Sequence, residues 1–262
     1  MPKSFLDQIR PEVLKNVALL KQEMAPEEWE ERALQRTLKA DFCSVLTRPD
    51  SLNIIAEIKK ASPSRGVLRE NLNAVELARI YEEHGAAALS VLTEEKYFLG
   101  SIRSLAQIAM SSSLPILRKD FILDEVQIAQ ARSNGAAAVL LIVAFLKQDD
   151  LENLVLACRK YSLAALVEVH NEEEVARANL AHGTFFGVNN RDLRTLEVNL
   201  QVSERLIQHK RSGQIFVAES GLSSNEQLRN LRSAGYDAFL IGEHFMKSAD
   251  PGAEVDRLRG KQ

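Results

Sequence analysis

Ionisable side chains interrupt or closely follow short apolar segments at several points in this chain of 262 residues. Glu57 and Glu168 lie inside otherwise apolar runs, and Lys119 and Glu219 come within two residues of the end of others. Burying an unpaired carboxylate costs several kcal/mol, so solvated loop charges are a weak explanation for Glu57 and Glu168. Carboxylates and ammonium groups that lie together shift one another's pKa values and support acid–base chemistry. These residues are therefore the first candidates for a catalytic site.

The apolar segments that carry these side chains alternate with segments of helical periodicity. Eight apolar runs are typical of parallel strands covered on both faces, at residues 53–58, 87–92, 115–117, 137–143, 164–169, 184–188, 215–218 and 238–241. Several of the intervening helical segments end in glycine, as helices commonly do, at Gly85, Gly135, Gly183 and Gly235. Eight strands alternating with about eight helices predict an α/β fold, a (β/α)8 TIM barrel. A doubly wound sheet is the alternative, but it typically has a glycine-rich fingerprint after its first strand, and none occurs here.

Residues 1–50 have a different pattern from the rest of the chain. Apolar side chains recur there every three or four positions, and this spacing predicts two or three helices. The recurring positions are Leu6, Ile9, Val13, Val17 and Leu20, and then Trp29, Ala33 and Leu38. No Gly/Ser-rich linker separates this region from the strands that follow. We therefore expect a helical extension over residues 1–50, packed on a barrel over residues 51–262, with a single domain overall.

Composition and charge exclude several classes of function. A net charge of −3 leaves no basic excess to neutralise a nucleic-acid backbone. The longest apolar run, residues 136–146, is shorter than the roughly 18 residues that a membrane-spanning helix needs. Cys43 and Cys158 lie far apart without metal-ligand spacing, which indicates reduced thiols and no metal site. We expect a cytoplasmic monomer that binds neither nucleic acid nor membranes.

In a TIM barrel the C-terminal ends of the strands converge on one face, where the active site lies. Polar or charged residues follow six of the eight predicted strands, and side chains from five of these strand ends would ring one mouth: Glu57, Lys59, Lys119, Glu168, Asn189, Arg191 and Glu219. His170 and His244 also lie near this mouth, but neither has a nucleophile as partner, and we interpret both as bystanders.

Three further parts of the sequence could contact a ligand at this mouth. Gly221, Gly242 and Glu243 follow the last two strands, where barrels commonly bind phosphate through backbone N–H groups and a helix N-terminus. The long connection after the first strand, with Ser62 and Pro63, has the length of a lid or binding loop. An apolar pocket could be formed by Phe98, Phe121, Leu140, Leu193 and Ile241, although such residues more often belong to the core.

Five stretches of the chain closely resemble the indole-3-glycerol phosphate synthase family. They are IAEIKKASPSRG at 55–66, LSVLTE at 89–94, LRKDFI at 117–122, GVNNRDL at 187–193 and AESG at 218–221. The resemblance extends from about residue 53 to residue 246. It implies a carboxy-lyase of tryptophan biosynthesis, which closes the ring of 1-(2-carboxyphenylamino)-1-deoxyribulose 5-phosphate to give indole-3-glycerol phosphate, CO2 and water. It also implies a phosphorylated small-molecule substrate and no metal or organic cofactor.

The resemblance also implies a role for each residue of the mouth. Lys119 resembles the general acid at the substrate carbonyl oxygen, Glu168 the base or cation-stabilising carboxylate, and Lys59 a second lysine shared between phosphate binding and acid catalysis. The substrate-orienting residues would be Glu57, Asn189, Arg191, Glu219 and Ser220, with Gly221, Gly242 and Glu243 near the phosphate. The reaction needs both charges, because the attacked oxygen becomes negative while the anilino nitrogen becomes positive. Which lysine acts in which step stays open.

Two other functions fit parts of the pattern. A Schiff-base aldolase barrel acting on a sugar phosphate would use Lys119 or Lys59 as its nucleophile. A barrel that only binds a phosphorylated ligand would keep the mouth without turnover. The presence of every chemical residue that the resemblance requires favours the synthase.

Overall fold

The computed structural model describes residues 4–49 and 51–261; residues 1–3, residue 50 and residue 262, which the predicted extension and barrel include, lie outside the described residues. Its centre is a closed barrel of eight parallel strands. The strands are β1 (Asn53–Ile58), β2 (Ala88–Leu92), β3 (Ile116–Lys119), β4 (Ala138–Ile142), β5 (Ala164–Val169), β6 (Phe185–Asn189), β7 (Ile215–Glu219) and β8 (Ala238–Ile241). All eight predicted strands are present, and β1, β5 and β8 have the predicted bounds.

The order of the strands around the barrel follows the chain. β1 pairs with β2 on one side and with β8 on the other, and every other strand pairs with its neighbours in sequence. In the resulting register Glu168 of β5 lies beside Ile142, and Glu219 of β7 lies beside Asn189. Because all strands are parallel, their C-terminal ends meet at one face. The predicted TIM barrel is therefore confirmed, and the closed sheet excludes the doubly wound alternative.

Helices follow or precede each strand. They are α1 (Phe5–Glu23), α2 (Pro26–Gln35), α3 (Ala74–Glu83), α4 (Ile102–Ser111), α5 (Glu125–Ser133), α6 (Gln148–Lys160), α7 (Glu172–Leu180), α8 (Gln201–Leu206), α9 (Asn225–Ala234), α10 (Glu243–Lys247) and α11 (Pro251–Arg259). Polar N-cap side chains begin several of them; Asn73, Asp124 and Ser224 each accept a hydrogen bond from a backbone N–H in the first turn. No described helix has the length and apolar character needed to cross a membrane.

The first two helices pack on the barrel. Ile9, Val13 and Val17 of α1 are spaced four residues apart and are buried, as are Trp29 and Ala33 of α2. Both helices contact α5, and their buried side chains belong to the same apolar cluster as the barrel strands. The apolar stripe of the extension thus continues the core of the barrel.

Two local features differ from the expectations. The connection after β1 contains a short antiparallel hairpin, Ala61–Ser62 with Gly66–Val67, which was expected to be a loop. Of the glycines predicted to end helices, Gly85, Gly135 and Gly235 have the positive φ that this position requires, but Gly183 does not. His182 has φ +57° instead, so the turn after α7 begins one residue earlier than predicted.

Candidate active site

A cavity of about 740 Å³ opens at the C-terminal ends of the strands. Every site residue predicted from the sequence lines it: Glu57, Lys59, Ser62, Pro63, Phe98, Lys119, Phe121, Leu140, Glu168, Asn189, Arg191, Leu193, Glu219, Ser220, Gly221, Ile241, Gly242 and Glu243. The barrel topology accounts for this convergence, because residues far apart in sequence occupy equivalent positions at successive strand ends.

Lys119, at the end of β3, lies between the carboxylates of Glu168 from β5 and Glu219 from β7. Its Nζ is 2.5 Å from Glu219 Oε2 and 3.6 Å from Glu168 Oε2. The lysine side chain is 13% exposed, whereas the side chains of Glu168 and Glu219 are 2% and 1% exposed. Burial alone would lower the pKa of Lys119, but Glu219, Glu168 and Glu57 together raise it above its usual value. Lys119 is therefore an ammonium group at neutral pH.

Glu168 and Glu219 have pKa values shifted in opposite directions. Burial raises the pKa of Glu168, but Lys119, His170 and Asn189 outweigh burial and hold it below its usual range. Burial also raises the pKa of Glu219, and the neighbouring charges of Glu168 and Glu57 keep it raised despite Lys119. The Oε1 atom of each carboxylate is buried and has no hydrogen-bond partner. Two carboxyl groups with divergent pKa values can take different acid–base roles at one pH.

Glu57 and Lys59 form a second ion pair at the end of β1, with Nζ 2.5 Å from Oε1. Burial raises the pKa of Glu57, whereas Lys59 and Lys119 lower it to a net value below the usual one. Gly242 stands directly beside this carboxylate, and a Cβ there would collide with the Glu57 side chain. A Cβ on Gly187 would likewise collide with Glu219. Two glycines thus leave the space that two of the carboxylates occupy.

One side of the cavity is rich in cations. Glu243, the first residue of α10, pairs with Lys247 at 2.6 Å, Arg191 at 3.1 Å and Arg65 at 3.3 Å. Three cations around one carboxylate leave a net positive charge there. Burial raises the pKa of Glu243, but the three cations outweigh burial and hold that pKa below its usual value. Beside them Ser220 and Gly221 have positive φ values of 65° and 80°, in the turn after β7. This side is suited to an anionic group.

The part of the cavity around β2 and β3 is aromatic. The rings of Phe98 and Phe121 lie 6.2 Å apart, and Phe5 of α1 packs edge-on against both, at 6.3 and 6.0 Å. Glu94 fixes the loop that carries Phe98, because its carboxylate accepts hydrogen bonds from the backbone N–H groups of Tyr97 and Phe98. Offset and edge-to-face rings of this kind form a wall for a flat apolar group.

Comparison with known proteins identifies the family. A family model described as indole-3-glycerol phosphate synthase matches residues 6–258. The chain is 49% identical over 208 residues to an indole-3-glycerol phosphate synthase of Carboxydothermus hydrogenoformans, covering 79% of each chain. It is 42% identical over 258 residues to that of Koribacter versatilis, covering 98% of this chain and 99% of the other. The chain belongs to the indole-3-glycerol phosphate synthase family.

Solved structures support the fold of this family member. A 3-hexulose-6-phosphate synthase from Salmonella typhimurium superposes with a TM-score of 0.65 at 11% identity, covering 80% of this chain and 97% of the other. At that identity the likeness concerns the barrel alone. Family membership makes the chain an enzyme, a decarboxylating lyase of tryptophan biosynthesis that acts on a phosphorylated small molecule. It favours the synthase over the aldolase and the non-catalytic barrel.

Several residues of the synthase cavity were missed in the sequence. Phe5, Arg65 and Lys247 line it, and each comes from a segment that the strand-end pattern does not cover. His170, interpreted as a bystander, does not line the cavity, but its Nε2 lies 3.4 Å from Glu168 Oε1. His244 lines the cavity, and its Nε2 lies 2.6 Å from Glu254. Across residues 4–49 and 51–261, no group of three or more His, Cys, Asp or Glu side chains is placed to hold a metal ion.

Proposed function

We propose that this cavity performs the ring closure of 1-(2-carboxyphenylamino)-1-deoxyribulose 5-phosphate by general acid–base catalysis, with Lys119 as acid and Glu168 as the carboxylate that faces positive charge. The observation that carries the proposal is the position of the Lys119 ammonium within 3.6 Å of Glu168 and Glu219, inside a cavity with a cationic side and an aromatic side. Each kind of group in the substrate then meets a complementary surface.

In the first step the ring carbon that bears the carboxylate attacks the ketone carbon. The carbonyl π electrons move to oxygen, which takes a proton from Lys119, and positive charge spreads over the anilino nitrogen and ring. The ionised Glu168 offsets that positive charge, and its effect is strong because its side chain is only 2% exposed. Both charges are stabilised by groups already in place, so little reorganisation accompanies the reaction.

In the second step the carbon–carboxylate bond breaks and its electron pair restores the aromatic ring, releasing CO2. In the third the new hydroxyl group leaves as water, which needs a proton at that oxygen and the loss of a proton from the neighbouring ring CH2 carbon, so that the double bond of the indole forms while nitrogen keeps its N–H. Lys119 and Lys59 are both ammonium candidates for the acid of this step. Glu219 lies within 2.5 Å of Lys119 and is a carboxyl group with a raised pKa, suited to return a proton to that lysine.

The two sides of the cavity would bind different parts of the substrate. The phosphate would lie on the cationic side, with Arg191, the backbone of Ser220, Gly221 and Gly242, and Glu243 holding the cations in place. The arene would lie against Phe98, Phe121, Leu140, Leu193 and Ile241. Ser62 and Pro63, from the hairpin after β1, would contact the substrate from above, while Glu57 and Asn189 orient its polar groups.

We propose further that the enzyme is a cytoplasmic monomer that needs no cofactor, and that residues 1–50 and 51–262 act as one unit. The continuous core of the extension and barrel supports the single unit. The free thiols of Cys43 and Cys158 suit a reducing compartment.

The test is a turnover assay with this one substrate, followed by the fluorescence of the indole product. Glu168→Gln keeps the shape of the side chain but removes its charge, so we expect kcat to fall by roughly 10²–10⁴-fold with little change in KM. Glu83→Gln, on the exposed face of α3, is the matched control. Wild-type turnover in the Glu168 variant would exclude the proposed role. Covalent labelling of a lysine by borohydride with the substrate would favour the Schiff-base chemistry instead.

A further inference from the structure

His170 lies two residues beyond Glu168, on the loop from β5 to α7, and connects two carboxylates. Its Nε2 is 3.4 Å from Glu168 Oε1, and its Nδ1 is 3.0 Å from Glu174 Oε2. Its side chain is 13% exposed, and so is that of Glu174. The ring is therefore enclosed between a group of the active site and a group of helix α7.

The backbone around His170 holds the ring in this orientation. Glu174 Oε2 accepts a second hydrogen bond from the backbone N–H of His170 at 2.8 Å, and its Oε1 accepts one from the side chain of Asn171. Asn171 in turn caps α7 by accepting a hydrogen bond from the backbone N–H of Glu174. The start of the helix and the position of the imidazole are thus determined by the same set of contacts.

Both ring nitrogens of His170 face carboxylate oxygens. A neutral imidazole has one N–H and one lone pair, so either tautomer would place a lone pair against a carboxylate. Only the doubly protonated ring presents an N–H to each. The direction of its titration agrees: burial lowers the pKa of His170, but Glu168 and Glu174 outweigh burial and raise it to about 10.

We propose that His170 is a positioning residue for Glu168, a permanent imidazolium that orients the carboxylate and keeps it ionised while Lys119 gives up its proton. This inference rests on the proposed role of Glu168. Lys119 Nζ lies 3.6 Å from Oε2 of Glu168, and His170 Nε2 lies 3.4 Å from Oε1 without a hydrogen bond to it, so the two oxygens of one carboxylate each face a different cation at ion-pair distance.

The charges around Glu168 explain why a second cation is needed. The groups that face it are Lys119 from β3, Asn189 from β6, His170 from its own loop, and the carboxylates Glu57 from β1 and Glu219 from β7. When Lys119 transfers its proton to substrate it becomes neutral, and two neighbouring carboxylates then favour protonation of Glu168. The fixed charge of His170 opposes that change during the step in which the ionised carboxylate is required.

Two variants separate charge from shape. His170→Gln keeps a hydrogen-bond donor near Glu168 without the charge, and we expect kcat to fall about 10- to 100-fold with KM within about twofold. Glu174→Gln keeps His170 but removes one of the carboxylates that raise its pKa. Its imidazolium therefore loses the proton at lower pH, and kcat should match wild type at pH 6 and then decline at least one pH unit earlier than wild type as pH rises.

His84→Gln is the matched control, because His84 is also paired with a carboxylate, that of Asp256, and lies at the end of α3 outside the cavity. It should leave kcat, KM and the pH profile unchanged. Nuclear magnetic resonance of 15N-labelled histidine gives a readout that does not need turnover. The His170 signals, assigned by their loss in His170→Gln, should remain those of an imidazolium up to pH 8 in the wild type.

Each result supports or overturns the inference. A His170→Gln enzyme with wild-type kcat, or a Glu174→Gln profile that coincides with wild type, would overturn it, as would a His170 ring that titrates near pH 6.5. If His170→Gln does not fold, Glu174→Gln and the spectra of wild type decide. Wild-type turnover in Glu168→Gln would instead mean that the proposed function has failed, and the spectra would still report the charge on His170.

Discussion

Two buried clusters of charged residues lie on opposite sides of strand β3. Two consecutive residues, Arg118 and Lys119, belong to different clusters. Arg118 points away from the cavity, and each of its guanidinium nitrogens has a partner: Thr93, Asp120 and the carbonyl and side-chain oxygens of Gln127 and Gln130 on α5. Lys119 points into the cavity, toward Glu168 and Glu219. There each of the two carboxylates keeps one buried oxygen without a hydrogen-bond partner.

We infer from this difference in hydrogen bonding that one cluster contributes to stability and the other to function. A buried polar network whose members are all paired stabilises the fold, and a buried acceptor left unpaired costs free energy. The wall cluster of Arg118, Asp120 and Thr93 is of the first kind. The mouth cluster of Lys119, Glu168 and Glu219 is of the second, because two of its carboxylate oxygens are buried without a hydrogen-bond partner. Changes in the two clusters should therefore affect different measurements.

The largest expected effect is on turnover, in Lys119→Met. Loss of the ammonium removes both the acid and the charge that stabilises the developing oxyanion, so kcat should fall by roughly 10³-fold or more. Circular dichroism should show that the barrel is retained. Lys96→Met is the control, because the Lys96 side chain lies after β2 and is exposed. A variant with kcat within tenfold of wild type would remove Lys119 from the mechanism.

In the wall cluster, Arg118→Met should lower stability and leave turnover nearly unchanged. Removal of one partner of a buried pair leaves Asp120 with an uncompensated charge, so the free energy of unfolding should fall by about 3–5 kcal/mol. Urea titration measures that loss, and kcat of the folded fraction should remain within about threefold of wild type. Arg103→Met, exposed on α4, controls for the loss of an arginine. If the variant kept wild-type stability but lost turnover, the contrast between the clusters would be wrong.

The smallest expected effect is a gain of stability in Glu219→Gln. The raised pKa of Glu219 means that its ionised form is disfavoured in the folded state, so wild type loses stability as pH rises through that pKa, and the glutamine variant does not. The Tm of the variant should exceed that of wild type by about 2–4 °C at pH 8, for a gain on the order of 1 kcal/mol. The difference should shrink toward pH 5, while kcat falls at both pH values. A lower Tm at pH 8 would place Glu219 with the stabilising cluster.

The sequence was sufficient to predict the barrel and the residues at its strand ends. Runs such as Asn53–Ile58 and Ala164–Val169 are almost wholly apolar, and a single carboxylate inside each stands out against that background. Because strands of a barrel place their ends at one face, the position of Glu57 and Glu168 in their strands already determined their position in space. The predicted fold was therefore enough to predict where these two site residues lie.

The contacts that the sequence did not reveal depend on side-chain direction and on distant segments. Arg118 and Lys119 are consecutive in the chain, and only the pleat of β3 shows that Lys119 faces the cavity whereas Arg118 does not. Phe5 reaches the cavity from an N-terminal helix, and no periodicity within α1 indicates this. His170 has no nucleophile beside it, but its two carboxylate partners become visible only once β5 and α7 are in place.

The two glycines beside the carboxylates have a consequence for redesign of this enzyme. Gly187 and Gly242 are adjacent to Glu219 and Glu57, so any side chain introduced there would displace a charged group. A mouth reshaped for a bulkier arene should instead be trimmed at Leu140 or Leu193, which border the cavity. In a randomised library we expect these two positions to return glycine alone among active clones, which would make them markers of an intact proton-transfer centre.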